Sequence, residues 1–297
     1  MKKRVWAMGA AVMMMGVLTA CSGGAGSKET SAQAEETKAE STEAAAAESE
    51  ENGEETKQAD GEDKASEGTF TVGFDQDFPP MGFVGEDGEY TGFDLELAQE
   101  TAKRMGLTYV AQPIAWDAKN MELESGNIDC IWNGFTMTGR EDEYTWSEPY
   151  MENSQVVVVM EDSGIETLAD LAGKIVEVQA DSSAEAALKE MTDLTSTFGT
   201  LQTTPDYNTA FMDLEMGSVD AIAMDVIVAG YQMQEREGNF KILDETLASE
   251  EYAIGFKKGN TELCGKVQKT LEEMAEDGTM AEISKKWFGE DITTIGK

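Results

Sequence analysis

Histidine is absent from all 297 residues of this chain. That removes the usual general base near neutral pH and the commonest transition-metal ligand. No metal-ligand cluster or nucleophile motif compensates, so the sequence argues against an enzyme and implies no cofactor and no metal. Positive charge is scarce too: 22 Lys and Arg stand against 59 Asp and Glu, a formal net charge of −37. Nucleic-acid binding needs clustered Lys and Arg to displace counterions, so this balance argues against a nucleic-acid partner. It suits a soluble protein that must not adhere to anionic surfaces. The apolar run at residues 5–18 is about 14 residues long, too short for a bilayer core, which takes roughly 20.

Three segments follow one another. Lys2, Lys3 and Arg4 precede the apolar run, as in an export signal spanning residues 1–20. The run ends in Leu18-Thr19-Ala20-Cys21 and then Ser22-Gly23-Gly24, which resembles a bacterial lipobox. The resemblance implies that Cys21 carries lipid, anchoring the chain to the outer face of the cell membrane. Residues 21–68 form the second segment; after Cys21 it carries 14 acids and 4 bases and no large apolar side chain. Such a tract cannot bury enough surface to offset the entropy of ordering, and it reads as a self-repelling tether.

From residue 69 onward the pattern is globular, with a net charge of −30 left to it. Strand-like runs fall at 69–74, 108–113, 128–132, 156–160, 175–179, 221–224 and 252–256. Helix-like stretches fall at 95–105, 120–125, 183–191, 209–216 and 261–277. This alternation predicts an α/β fold with mostly parallel sheets, in which ligands sit at the carboxyl ends of strands.

Polar and aromatic residues do follow the strands. Asp75 and Phe78 come after the first, beside two prolines that set an extended turn. Asn133, Gly134, Thr136 and Arg140 come after the third. Gly134 permits close backbone approach, and the Arg140 guanidinium suits a carboxylate in bidentate contact. Gln179 ends a strand, and Ser182 and Ser183 open a helix whose free N–H groups favour an anion. Asp225 ends the 221–224 run. Each has a plainer alternative: Ser182 or Ser183 as helix cap, Asp225 as cap of a helix starting at Val226, Arg140 paired with Glu141, Asp142 or Glu143, and Phe78 and Trp116 as core aromatics. A carboxylate binder, an amine binder and aromatic walls together are what a free amino acid requires.

Several stretches carry a family resemblance in combination. They are Val72-Gly73-Phe74-Asp75 with Phe78-Pro79-Pro80, Thr91-Gly92-Phe93-Asp94-Leu95, Gly126-Asn127-Ile128-Asp129, Thr136-Met137-Thr138 before Arg140, Trp146-Ser147-Glu148-Pro149-Tyr150, and Lys286-Trp287-Phe288-Gly289. The chain from 69 to 294 resembles the extracytoplasmic solute-binding proteins (family 3) of polar amino acid ABC importers, with the type II periplasmic-binding-protein fold. The resemblance implies two lobes, 69–154 plus 253–297 and 155–252, hinged on crossover strands near 153–159 and 249–256. It implies that Arg140 clamps the ligand carboxylate with Thr136 and the Ser183 N–H. Asp225 and the Gly134 carbonyl would take the ammonium, Phe78 and Trp116 would flank the side chain, and Asp75 and Gln179 would face its far end. The partners implied are a free L-amino acid, an ABC permease and the lipid bilayer, with the protein acting as a monomer.

Two features depart from the family pattern: Asp181 stands where glycine is common, and the loop from Thr138 to Arg140 is one residue shorter than usual. Cys130 and Cys264 both fall in the first implied lobe; in an exported protein a bridge between them is one possibility, and two buried thiols packing as small apolar residues the other. Two other functions stay open: presentation of an amino acid to a separate sensory receptor, and dehydratase chemistry on the same scaffold, which the lack of histidine disfavours.

Overall fold

The computed structural model describes residues 68–236 and 238–297. The export signal, Cys21 and the acidic tether lie outside the described residues.

The first sheet begins with Thr69–Phe74, whose Phe70, Val72 and Phe74 are fully buried. This strand pairs in parallel with Thr108–Pro113 on one side and Cys130–Ile131 on the other. Gly255–Phe256 then pairs antiparallel with Cys130–Ile131 and with Thr145–Trp146, completing five strands. The helix Phe93–Met105 covers this sheet through Phe93, Leu97, Ala98 and Ala102, an apolar stripe at helical spacing. Asp94 and Glu96 sit in its first turn and Lys103 and Arg104 in its last, matching the helix dipole. Arg104 also reaches Asp277 at 2.8 Å, tying this helix to Thr261–Asp277.

The second sheet runs in the order Thr200–Thr204, Ile175–Gln179, Ala221–Asp225, Met151–Met160, Phe240–Ile242. Val156 to Val159 are all buried, as expected of a strand covered on both faces. Ala248–Tyr252 also pairs with Met151–Met160, from Ala248 opposite Gln155 to Tyr252 opposite Met151. These two antiparallel strands carry the chain between the sheets.

The α/β architecture is as expected, but the sheets are mixed rather than mostly parallel. Two of four pairings in the first sheet and two of five in the second are parallel. The connecting strands cause this, because chain returning from the far sheet enters each sheet against its other strands. The single run expected at 252–256 is therefore two strands: one ends at Tyr252 in the second sheet and the next starts at Gly255 in the first. Ser147 pins the break, its Oγ accepting the Ile254 N–H at 2.9 Å.

Of the two possibilities for Cys130 and Cys264, the bridge is not present and the pair of buried thiols is. Both thiols are buried and free. Cys264 instead donates from Sγ to the Trp146 carbonyl at 3.2 Å, and both side chains pack as small apolar groups in one core. A chain of residues 68–297, unfolded without reductant, should titrate two thiols with a chromogenic disulfide reagent; a count of zero would restore the bridge.

Candidate functional site

Ten of the eleven ligand-site residues expected from sequence line a single small, nearly filled cavity: Phe78, Trp116, Asn133, Gly134, Thr136, Arg140, Gln179, Ser182, Ser183 and Asp225. They come from both sheets. Gln179 and Asp225 are the last residues of parallel neighbours, and Asn133 to Arg140 follow Cys130–Ile131, so the cavity lies where the strands end. Asp75 is the exception. It lines the adjoining cleft and touches the site through two contacts: its N–H donates to Asn133 Oδ1 at 3.0 Å, and Gln179 Nε2 donates to its Oδ2 at 2.6 Å. Burial pushes the Asp75 carboxyl up to about 6.

Phe78 and Trp116 form parallel walls, with ring centroids 6.5 Å apart and 6° between planes. Gly134 has φ +56, and a Cβ there would lie 3.0 Å from Phe78 and 3.1 Å from Tyr252. Both the conformation and the space demand glycine. The turn is held by Asp94, whose Oδ2 accepts the Gly134 N–H at 2.6 Å and the Tyr150 hydroxyl at 2.8 Å. Asp94 is fully buried, and burial raises its carboxyl to about 7.

Arg140 does not pair with Glu141, Asp142 or Glu143. Among the described residues it enters no ion pair. Its Nη1 donates to the Thr136 carbonyl at 3.3 Å and its guanidinium carbon lies 5.4 Å from the Phe135 ring centre. Trp146 Nε1 holds the Arg140 carbonyl at 3.1 Å. The short loop thus still delivers the guanidinium to the cavity.

The two serines divide their roles. Ser182 caps the helix Ser183–Glu190, its side chain accepting from the Glu185 N–H at 3.1 Å. Ser183 Oγ lies 3.1 Å from Thr136 Oγ1, across the cavity. Asp225 stands at the N-terminus of Val226–Glu235 but makes no side-chain cap. Its Oδ1 accepts from Asn153 (2.8 Å), Gln155 (2.8 Å) and Tyr252 (2.7 Å). Burial, then the charge of Glu250, raises Asp225 to about 7.

Sequence reading missed Asp94, Lys119, Asn153, Gln155, Glu250 and Tyr252. Asn153 and Gln155 left a detectable signal: they occupy the same alternate positions as buried Met151, Val157 and Val159, so polar side chains point inward. Lys119 left none. It is 1% exposed, and its Nζ pairs with Asp181, donates to the Asp181 carbonyl at 2.9 Å and lies 4.9 Å from the Trp116 ring centre. Asp181 has φ +57, a left-handed conformation that accounts for glycine at this position in the family pattern. Through Lys119, Asp181 bridges to the opposite side of the cleft.

Two sheets joined by a pair of strands thus bring to one cavity a guanidinium and a carboxyl group that, among the described residues, enter no ion pair. The description "Bacterial extracellular solute-binding proteins, family 3" fits residues 70–290, and the chain belongs to that family. It is 33% identical over 229 residues to the L-cystine-binding protein TcyJ of Escherichia coli (strain K12), covering 76% of this chain and 85% of the relative. It is 31% identical over 223 residues to the arginine-binding extracellular protein ArtP of Bacillus subtilis (strain 168), covering 73% and 85%. A substrate-binding protein of an ABC uptake transporter from Streptococcus pneumoniae, solved with bound histidine, superposes with TM-score 0.73 at 36% identity, covering 76% of this chain and 94% of that one.

Asp94 and Asp225 are both raised from 3.8 to about 7. A raised carboxyl favours the fold most below its unfolded value, and that stability is lost as pH rises through its folded value. Without ligand, the melting temperature should fall between about pH 4 and about pH 7, and Asp94→Asn should flatten the fall. An unchanged slope in the variant would refute the role of burial at Asp94.

Proposed function

We propose that this protein captures a free amino acid with a polar side chain and delivers it to an ABC permease, acting as a binder and not as an enzyme. One observation carries the reading: Arg140 and Asp225 face one cavity, and among the described residues neither takes part in an ion pair. A buried charge is costly unless paired and hydrogen-bonded, and a zwitterion completes both pairs at once. Arg140 clamps the α-carboxylate, with Thr136 and the Ser183 N–H assisting. Asp225 takes the α-ammonium with the Gly134 carbonyl. Phe78 and Trp116 sandwich the side chain, while Gln179 and Asp75 meet its far end.

Residues 69–154 with 253–297 act as one lobe and 155–252 as the other, hinged on the connecting strands. Arg140 and Asp225 belong to different lobes, so the ligand bridges them and favours closure. Relatives that bind cystine and arginine support an amino acid cargo. Cys21 anchors the protein through lipid at the outer face of the membrane, and residues 22–68 tether it within reach of the permease.

Calorimetry with the twenty common amino acids, cystine and ornithine should show micromolar or tighter binding for at least one; heat from none would refute the reading. Arg140→Ala should weaken that binding at least ~100-fold, about 3 kcal/mol, because a charge-assisted bidentate pair is lost. Retained affinity would place the site elsewhere. Cys21→Ala should move the protein from the membrane fraction to the soluble one, and an unchanged distribution would refute the anchor.

A further inference from the structure

Glu250 has no place in the zwitterion complement above, yet it is packed against it. Asp225 is 3% exposed and Glu250 is 6% exposed. Asn153 Nδ2 lies 2.8 Å from Asp225 Oδ1 and 2.6 Å from Glu250 Oε1. Gln155 Nε2 lies 2.8 Å and 2.7 Å from the same two oxygens, and 2.9 Å from Ser183 Oγ. Two carboxyl groups thus converge on two shared amide donors. The cluster is short of protons: Asn153 Oδ1 and Gln155 Oε1 are buried and have no partner.

The surroundings supply little more. The Tyr252 hydroxyl donates to Asp225 at 2.7 Å and the Thr136 hydroxyl to Glu250 at 2.9 Å. Tyr207 is buried nearby on the helix Tyr207–Met216. Glu152 and Glu251 line the outer groove beside Glu250 and add negative charge. Arg140 faces the cavity with Asp225, where the ligand carboxylate would engage it. Two buried carboxylates this close cannot both ionise without a cation between them.

We propose that Asp225 and Glu250 hold one proton between them in the unliganded protein, and that the ammonium of an incoming amino acid takes its place. Capture then releases a proton to solvent: one carboxyl O–H bond breaks, and the Asp225 carboxylate faces the ammonium with the Glu250 carboxylate behind it across Asn153 and Gln155. This rests on the amino acid reading for its ligand, but the shared proton belongs to the protein alone. The raised carboxyl at Asp225, caused first by burial and second by Glu250, agrees with it. The sign follows: affinity is full above neutrality and weakens as pH falls, because the proton then competes with the ammonium.

The test has two arms. In the first, carboxyl-detected NMR follows the unliganded protein. Asp225 should titrate near neutrality, and Glu250→Gln should send it back toward the ordinary carboxylate range. Titration of Asp225 below about pH 5 overturns the proposal. In the second, calorimetry in buffers of differing ionisation enthalpy uses L-arginine, L-glutamine and L-cystine. Binding should release close to one proton at about pH 6 and weaken ~10-fold between about pH 7.5 and about pH 6. Both effects should vanish in Glu250→Gln. Binding with no proton release overturns the proposal. Coupled titration with no heat from any amino acid overturns the amino acid reading and the displacement with it, while the shared proton stands.

Discussion

The antiparallel pairing of Met151–Met160 with Ala248–Tyr252 is the contact on which both architecture and site depend. It is the link by which the chain passes from one sheet to the other and back. Its side chains are also the walls of the polar cluster: Asn153 and Gln155 from one strand, Glu250 and Tyr252 from the other, all meeting Asp225 or its partners. A register slip of one residue would turn these four side chains to the other face. Hinge and ligand chemistry therefore share one register, and neither can change without the other.

The cavity is organised by desolvation. Arg140 carries its charge against an aromatic ring and a carbonyl, without an acid. Asp225 carries its own among neutral donors and a second carboxylate. In a conventional core such groups would pair with each other, and the protein would be more stable for it. Holding them apart across a cavity keeps each incompletely compensated, which a ligand of opposite polarity at each end corrects. Asp94 extends the same logic to the backbone, spending a buried carboxylate to aim one N–H and fix the Gly134 turn.

Much of this was legible in the chain. Strands announced themselves as β-rich runs, so 69–74, 108–113 and 175–179 agree with the structure to the residue. The strand-end rule then located ten cavity residues, because parallel neighbours bring their carboxyl ends to one side. What escaped was non-local. The helix Val226–Glu235 and the strand Thr200–Thr204 carry weak local patterns and form by packing on neighbours. Mixed sheet direction depends on which chain segment returns where, which periodicity does not encode. Cys130 and Cys264 suggested a bridge by compartment and lobe alone, and their thiol geometry was not readable from spacing.

Lys119 and Asp181 show how a departure from family pattern can be informative before it is understood. A non-glycine residue at φ +57 is strained, so an acid there requires a compensating contact. The contact is Lys119, buried to 1% exposure under the opposite side of the cleft and stacked on Trp116. An ammonium so deeply buried is itself unfavourable; burial lowers its pKa, and the Asp181 carboxylate opposes that shift. Lys119 is tolerable there because Asp181, whose side chain is itself half exposed, pairs with it. With one partner open to water, such a pair adds little stability by itself. It favours one alignment of the two sides, the one that also sets the rings of Phe78 and Trp116 parallel.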